Sequence, residues 1–263
     1  MIQLSQPFVA AISGLFGLTI GSFLNVVIYR IPKKESIVHP GSHCPNCDAP
    51  IKSYDNLPLI SWIVLRGNCR SCKSPISARY PLVELLTGVL FTSAGYFVHP
   101  QILVPAVCIA IAGLLSCALI DLETMKIPTK IVYSTALVGA PFLVLASGVT
   151  GQWMRLGISA ICAFTAVAGF FIIFFLAPPG GFGLGDVRLA GLEALFLGWI
   201  GWRLVLAAFF LGIALGAIIA IALLAFGVKK MKDAIPFGPF LAMGAIALLI
   251  FERNLGFHWT GFH

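Results

Sequence analysis

Apolar residues fall into eight long runs along the chain, with most polar and charged residues between them. A helix that crosses a bilayer needs about 20 mostly apolar residues, so these runs predict transmembrane helices. The sixth run is the least certain, because it is short and contains Glu193. The predicted crossings cover residues 8–28, 82–98, 102–120, 130–148, 155–176, 187–200, 203–226 and 237–251. The pattern predicts an all-α polytopic membrane protein of about eight transmembrane helices, with a small polar loop domain between helices 1 and 2.

The composition supports a membrane location. Of the 263 residues, 59% are hydrophobic and only 10% are charged, and the mean hydropathy is +0.98. These values exclude an ordinary soluble domain. The first residues lack the basic segment and cleavage site of a signal peptide, so we expect the first apolar run to remain as a helix. The net charge of +7 is better explained by topology and contact with anionic lipid than by nucleic acid.

The basic residues predict an orientation. If loop 30–80 faces the cytoplasm, 14 Lys and Arg residues lie on the cytoplasmic side and 3 on the other, as the positive-inside rule expects. The cytoplasmic set is Arg30, Lys33, Lys34, Lys52, Arg66, Arg70, Lys73, Arg79, Lys126, Lys130, Arg188, Lys229, Lys230 and Lys232, and the opposite set is Arg155, Arg203 and Arg253.

Two aspartates are placed on one side of the membrane by counting crossings. Asp121 ends the third predicted helix and Asp186 opens the sixth, so two crossings separate them whichever way the protein is oriented. Asp186 ends the run Gly181-Phe182-Gly183-Leu184-Gly185-Asp186, whose glycines allow close approach of another segment. Carboxylates next to hydrocarbon are costly and usually functional. Two that meet can activate water without a metal.

Each aspartate also has a simpler interpretation. Asp186 is a common residue at a helix N-terminus, and Asp121 could lie at the membrane surface beside Lys126. Taken together, their shared side and the glycine-rich approach favour a catalytic pair. Because a helix N-terminus stabilises an anion and a C-terminus does not, we expect Asp186 to be the charged base and Asp121 the protonated partner.

The loop between the first two helices contains four cysteines. Cys44 and Cys47 form one Cys-x-x-Cys pair, and Cys69 and Cys72 form a second after 21 intervening residues. This spacing favours a tetrahedral four-cysteine zinc site, and four thiolates leave no open position, so the zinc is structural. Two disulfides are the alternative, although a reducing cytoplasm disfavours them.

Other polar residues have less certain roles. His39 and His43 lie near the cysteines and are more simply surface residues, while Cys108, Cys117 and Cys162 are packing residues of apolar helices. Gly17 and Gly21 are spaced for close helix packing. The roles of Asn25, Glu84 and Glu193 stay open at this point.

The ordered motifs resemble those of the type IV prepilin peptidases, the GxGD-type aspartic enzymes of bacterial inner membranes. The resemblance covers nearly the whole chain. It is carried by Gly21–Arg30, the two Cys-x-x-Cys pairs, Arg79–Glu84, Asp121 with Ile127-Pro128, Gly183–Leu189 and Ile235–Phe240.

The resemblance implies a bifunctional enzyme at the cytoplasmic face of the inner membrane. Such enzymes cut a short basic leader from prepilins and prepseudopilins, then methylate the new N-terminal residue, usually phenylalanine, with S-adenosylmethionine. The family's catalytic aspartates align with Asp121 and Asp186, within an active-site loop that includes Gly183 and Gly185. Its zinc cysteines align with Cys44, Cys47, Cys69 and Cys72.

The resemblance also implies a division of the chain. Residues 1–29 form the first transmembrane helix, 30–80 the cytoplasmic zinc loop domain associated with methyl transfer, and 81–263 the transmembrane aspartic peptidase domain. The residues that bind the methyl donor are unassigned, as are the oligomeric state and the choice between pilus assembly and type II secretion.

Two departures and three rival functions remain. Arg188 stands where the family usually has lysine, and Glu193 where it has a small or apolar residue. A peptidase without methyl transfer, whose zinc loop docks the substrate, is the nearest alternative. A proton- or ion-coupled transporter leaves the cysteine loop unexplained, and a non-catalytic scaffold leaves the aspartates unexplained.

Overall fold

The fold is built from helices throughout the part of the chain that is described. The structure is a computed structural model that describes residues 4–177, 182–228, 230 and 235–251. The helices are α1 (Gln6–Arg30), α2 (Ile60–Val64), α3 (Arg79–Phe97), α4 (Val104–Thr124), α5 (Thr129–Thr150), α6 (Trp153–Leu176), α7 (Leu184–Ile200), α8 (Trp202–Ala225) and α9 (Gly238–Phe251). Short 3-10 turns cover Ser53–Asn56 and Gln101–Leu103. Gly181, Lys229, Lys232 and Arg253, which the sequence analysis uses, lie outside the described residues.

Within the described residues, five helices are long and apolar enough to cross a membrane. They cover Gln6–Arg30, Gln101–Thr124, Thr129–Thr150, Trp153–Leu176 and Trp202–Ala225. Helices also occur at the other three predicted crossings, but α3, α7 and α9 do not qualify as spans. The helix α7 has only 17 residues and carries Asp186, Arg188 and Glu193, and α9 has only 14 residues. Eight transmembrane helices are therefore not confirmed, whereas an all-helical multi-pass protein is.

The ends of the helices that carry the aspartates follow from local sequence. The helix α4 ends at Thr124 because Met125 adopts a left-handed conformation, with φ 55°, and its N–H bonds to the carbonyl oxygen of Asp121 at 2.9 Å. Pro128 is extended, and α5 begins directly after it. On the other side of the site, Gly183 is extended and α7 begins at the next residue. Asp121 therefore lies in the last turn of α4 and Asp186 in the first turn of α7.

The chain forms two compact units, residues 1–96 and 97–263. In the first unit α1 and α3 pack closely, because a Cβ on Gly17 would lie 2.9 Å from the Cα of Gly88 and one on Gly21 would lie 2.7 Å from the Cα of Glu84. This packing joins α3 to α1 and the cysteine loop. The predicted boundary at 80/81 falls inside α3 and stays a prediction.

The second unit contains α4 to α9. Within it α7 packs against α6, α5, α8, α9 and α4, and its side chains Phe196 and Trp199 are almost completely buried. The indole Nε1 of Trp199 donates a hydrogen bond to the Ser147 hydroxyl of α5 at 2.8 Å, which satisfies its polar atom inside the core. The central position of α7 fixes the location of Asp186 relative to its neighbouring helices.

Candidate active site and metal centre

Asp121 is buried at the junction of α4 and α9. Its side chain is 5% exposed, and its Oδ2 accepts a hydrogen bond from the backbone N–H of Gly238 at 3.1 Å. Gly238 is the first residue of α9, so the carboxylate lies at the N-terminus of that helix. The surface pairing with Lys126 considered above is therefore replaced by a buried contact between helices.

Asp186 is half-buried in the first turn of α7. Its Oδ2 accepts the backbone N–H of Gly183 at 3.0 Å, and its own N–H bonds to the Gly183 carbonyl oxygen at 3.1 Å. Asp186 is therefore the third residue of α7 and bonds back to the N-cap residue Gly183, instead of being the N-cap itself as its simpler interpretation expects. This contact uses one carboxylate oxygen, Oδ2.

The two aspartates belong to one cluster. Their carboxylates are close enough for their charges to interact. Ile127 lies in the link between α4 and α5. It packs against Gly185, which precedes Asp186, and against Gly238, whose N–H bonds to Asp121. A Cβ on Gly185 would lie 2.9 Å from the Ile127 Cβ, and a Cβ on Gly238 would lie 3.0 Å from its Cδ1 and 2.8 Å from Oδ2 of Asp121. Both positions therefore require glycine for steric reasons.

The cluster has the components of an acid–base pair. Two carboxylates whose charges interact oppose each other's ionisation, a property that an acid–base pair uses. Each has one oxygen, Oδ2, that accepts a backbone N–H. Asp121 lies at the C-terminus of α4 and also at the N-terminus of α9, and these helix ends act on its charge in opposite senses. The helix ends therefore favour the charged form of Asp186 but do not decide between the charged and neutral forms of Asp121.

Arg188 and Glu193, the two departures from the family pattern, have different surroundings. The Nη1 of Arg188 donates to the Thr129 hydroxyl at 2.9 Å, which ties α7 to the first residue of α5. Glu193 is 0% exposed, and neither of its carboxylate oxygens has a hydrogen-bond partner within the described part of the chain. Glu193 lies about 10 Å beyond Asp186 along the helix, at 1.5 Å per residue.

The four loop cysteines lie in two similar turns. An antiparallel bridge joins His43 to Pro50, and another joins Asn68 to Pro75. Inside them the Cys44 N–H bonds to the Ala49 carbonyl oxygen at 3.0 Å, and the Cys69 N–H bonds to that of Ser74 at 2.8 Å. In each turn the residue after the second cysteine is left-handed, with φ 54° at Asp48 and 60° at Lys73. Local sequence thus folds each Cys-x-x-Cys pair in the same way.

The cysteine sulfurs have the spacing of a tetrahedral zinc site. The Sγ atoms of Cys44, Cys47, Cys69 and Cys72 all lie within 4.8 Å of one another, and those of Cys44 and Cys72 are 3.8 Å apart. Zinc–sulfur bonds of about 2.3 Å in a tetrahedron require sulfurs about 3.8 Å apart. All seven cysteines are free thiols, so the disulfide alternative is not seen. The cluster fits a structural zinc ion.

Hydrogen bonds prepare two of these thiols for a metal. The hydroxyl and backbone of Ser74 lower the pKa of Cys72 to about 6, and the backbone N–H groups of Asn46 and Cys47 lower the pKa of Cys44. The Ala49 backbone has the same effect on Cys47, but its neighbours Cys72 and Cys44 raise its pKa to about 12. A zinc ion would displace any protons left on these thiols, because only thiolates bind it.

Asn25 and Glu84, whose roles the sequence left open, and His43, expected to be a surface residue, have clear contacts. Asn25 donates to the Tyr80 carbonyl oxygen at 3.0 Å, and Glu84 accepts the Leu59 N–H at 2.8 Å. Both contacts hold the first unit together. The Nδ1 of His43 lies 3.0 Å from the Gly41 carbonyl oxygen, within its own turn. The buried Cys108, Cys117 and Cys162 are packing residues, as expected.

The Gly238 N–H is the functional group that residue-level reasoning missed. The motif Ile235–Phe240 is part of the family resemblance, but no role follows from it in the sequence. A signal was present, because Gly238-Pro239 opens the last apolar run and a proline is well tolerated in the first turn of a helix. The N–H of Gly238 at the start of α9 is therefore not used within its own helix and can stabilise an anion.

The fold and site define a class: a helical membrane protein with one buried and one half-buried aspartate at the ends of its helices, and a separate cluster of four thiols. Residues 15–98 match the bacterial peptidase A24 N-terminal domain, and residues 108–221 match the type IV leader peptidase family. The chain belongs to this family. The first match covers the unit with the cysteine loop, and the second covers Asp121 and Asp186.

Curated relatives resemble the chain over nearly its whole length. The prepilin leader peptidase/N-methyltransferase of Aeromonas hydrophila is 34% identical in an alignment that covers 94% of this chain and 93% of the relative. That of Legionella pneumophila is 33% identical, with the same shares of each chain. The type 4 prepilin-like proteins leader peptide-processing enzyme of Escherichia coli H10407 is 33% identical over 94% of this chain and 95% of the relative. No solved structure matches. These relationships support protease and methyltransferase activity.

Proposed function

We propose that this protein removes the leader peptide from prepilins and prepseudopilins with Asp121 and Asp186, and then methylates the new N-terminal residue. The observation that carries the proposal is the pairing of the two carboxylates, each held by one backbone N–H. The match to the type IV leader peptidase family supports the choice of substrate.

The aspartates divide the hydrolysis between them. Asp186 takes a proton from water, whose oxygen attacks the scissile carbonyl carbon, while a proton held by Asp121 stabilises the carbonyl oxygen. When the C–N bond breaks, Asp186 returns its proton to the leaving amine. The Gly183 and Gly238 N–H groups keep the two carboxylates in place during the cycle.

Methyl transfer uses the amine that cleavage releases. An α-amine has a pKa near ~8, so a useful fraction is neutral and nucleophilic near neutral pH. S-adenosylmethionine supplies the methyl group: an N–C bond forms, the S–C bond breaks, and the amine loses a proton. We propose that the four-cysteine zinc loop supports this second reaction structurally, and no residues are assigned to the methyl donor.

The orientation belongs to the same proposal. The scissile bond joins a basic leader to an apolar helix, so it lies at the membrane surface. With loop 30–80 in the cytoplasm, Asp121 and Asp186 face the cytoplasm at the inner membrane. Anionic lipid headgroups hold the basic leader there.

Cleavage of a purified prepilin, followed by mass spectrometry, tests both activities. The wild type, Asp121→Asn, Asp186→Asn and the matched control Glu123→Gln are compared in detergent with S-adenosylmethionine. Glu123 is an exposed acid two residues from Asp121. We expect the wild type and the control to release the leader and add one methyl group, and both aspartate variants to leave the leader attached. Cleavage without added mass would support the peptidase-only alternative, and cleavage by either aspartate variant would reject the catalytic pair.

A further inference from the structure

A group of exposed aliphatic side chains lies on the cysteine loop, around the short helix α2. Leu57 is 49% exposed, Ile60 is 58% exposed, and Ile63 and Val64 are each 68% exposed. Four large aliphatic residues within eight positions form a patch that a loop surrounded by water rarely presents. We call residues 57–64 the α2 segment. Its composition calls for a partner that is itself apolar.

Contacts within the first unit fix the position of the α2 segment along the length of α1. The Leu59 N–H donates to the Glu84 carboxylate of α3 at 2.8 Å, and the Cα of Glu84 packs against Gly21 of α1. Gly21 lies nine residues before Arg30, the last residue of α1, which is about 13 Å at 1.5 Å per residue. The segment therefore begins beside the apolar part of a helix that is long enough to cross a membrane.

A cavity beside α1 supports the same placement. It has a volume of about 350 Å³, and its walls come from α1, from residues 37–42 and from the residues just before α2. Thr19, Ser22 and Val26 of α1 line it together with Asn56 and Pro58. The chain leading into α2 therefore runs alongside the last three turns of α1 instead of pointing away from them.

The polar backbone of the segment is satisfied internally. The Ser61 hydroxyl accepts the Leu57 N–H at 3.0 Å and donates to the Tyr54 carbonyl oxygen at 3.1 Å. Glu84 satisfies the Leu59 N–H, and the Trp62 Nε1 donates to the Ile76 carbonyl oxygen at 3.2 Å. Non-helical backbone is tolerated at membrane depth only when its polar groups have such partners. Apolar side chains outside and paired polar groups inside are the requirements for contact with lipid.

We propose that the α2 segment inserts into the bilayer at the Arg30 end of α1, as a short re-entrant helix whose Ile60, Ile63 and Val64 side chains contact phospholipid acyl chains. The exposed Lys52 and Arg66 flank the segment and reach the lipid phosphates. The cysteine loop is then held at the membrane surface by three elements, α1, α2 and α3, and not only by its two ends.

Photocrosslinking in proteoliposomes tests this insertion directly. The full chain is reconstituted in phosphatidylethanolamine and phosphatidylglycerol with a benzophenone amino acid at Ile63 or at Val64. Ile51, an exposed isoleucine of the same loop outside the segment, is the matched control position. We expect phospholipid adducts by mass spectrometry at Ile63 and Val64 and none at Ile51. Adducts to protein at Ile63 and Val64, whether to a second copy or to another part of the chain, would overturn the proposal, as would equal lipid labelling at Ile51.

A measurement on the unmodified protein avoids any effect of the substitutions. A small apolar diazirine dissolved in the bilayer is activated by light, and the labelled peptides are identified after proteolysis. Label is expected on residues 57–64 and on α1, and not on residues 43–50. Label on α1 without label on residues 57–64 would overturn the proposal.

Discussion

The two functional clusters of this protein are assembled in opposite ways. The four thiols come from two short turns, 43–50 and 68–75, each closed by its own hydrogen bonds. The aspartates come from α4 and α7, with α9 supplying the N–H of Gly238. The first cluster needs only local sequence and a metal, whereas the second needs three helices packed at the correct separation.

The difference has a physical consequence for each cluster. A turn with a fixed hydrogen-bond pattern tolerates change elsewhere, and the metal supplies much of the free energy that a small core lacks. The aspartate cluster depends on close contacts, such as those of Ile127 with Gly185 and Gly238. We therefore expect the thiol cluster to fail through loss of metal and the aspartate cluster to fail through small steric changes.

Removal of the metal is expected to have the largest effect, and it should be confined to the cysteine loop. Structural zinc sites in small domains contribute on the order of 10 kcal/mol, so Cys69→Ser should lose the metal and expose residues 43–75 to protease. Under our proposal methyl transfer is lost and leader cleavage is retained. Metal analysis, limited proteolysis and the two activities check this, with Cys108→Ser as the cysteine control outside the cluster. Equal loss of both activities would contradict the separation.

A single added methyl group should disable the aspartate cluster. A Cβ on Gly238 would lie 2.8 Å from Oδ2 of Asp121, so Gly238→Ala must displace that carboxylate or the start of α9. Misplacement of about 1 Å costs about 100-fold in rate, and we expect a fall in leader cleavage of that order. Gly157→Ala is the matched control, because a Cβ there meets nothing within 4 Å. Bound zinc should be unchanged in both variants, and normal cleavage by Gly238→Ala would show that the contact is unimportant.

We expect Glu193 to lower the free energy of unfolding of the second unit. A buried polar group without a partner costs about 1–3 kcal/mol, and no described residue bonds to the Glu193 carboxylate, so Glu193→Met, which keeps a similar length, should raise stability by that amount. Thermal unfolding in a mild detergent measures the change, with Glu193→Gln as the polar control that should gain less. A fall in stability on Glu193→Met would mean that the carboxyl group has a stabilising partner.

The smallest expected effect concerns an ion pair that braces the second cysteine turn. Arg70 donates two hydrogen bonds to Asp55, at 2.6 and 2.8 Å, and this contact holds the pKa of Asp55 below its usual range. Because Arg70 is half-exposed, Asp55→Asn should increase the protease sensitivity of residues 68–75 only slightly. The difference should shrink at high salt, which screens exposed charges. An effect as large as that of Cys69→Ser would mean that the pair controls metal binding.

The sequence predicted most of what depends on short spacing or on long apolar runs. Helices occur at all eight predicted crossings, and the four cysteines meet as their spacing indicates. The number of spans was less predictable, because α7 carries three charged residues and still packs in the interior. Parity of crossings puts Asp121 and Asp186 on one side, but only packing brings their carboxylates together.

Contacts between distant segments could not be predicted from the sequence. Nothing in the residues themselves pairs Gly238 with Asp121, which are separated by 117 positions, or Leu59 with Glu84. The boundary between the two units, at the last residue of α3, depends in the same way on the fit of Gly17 and Gly21 against that helix. These contacts are set by the shapes of packed helices, which a linear pattern does not encode.

Because of the position of Ile127, the energetic effects of substituting two glycines depend on each other. Its side chain occupies the space that a methyl group at Gly185 or at Gly238 would require, although these glycines belong to different helices. The energetic cost of changing one glycine therefore depends on how far the isoleucine has already been displaced by the other. Substitutions at neighbouring sites with a shared partner are not additive. A change at any one of positions 127, 185 and 238 consequently alters which residues the other two positions can tolerate.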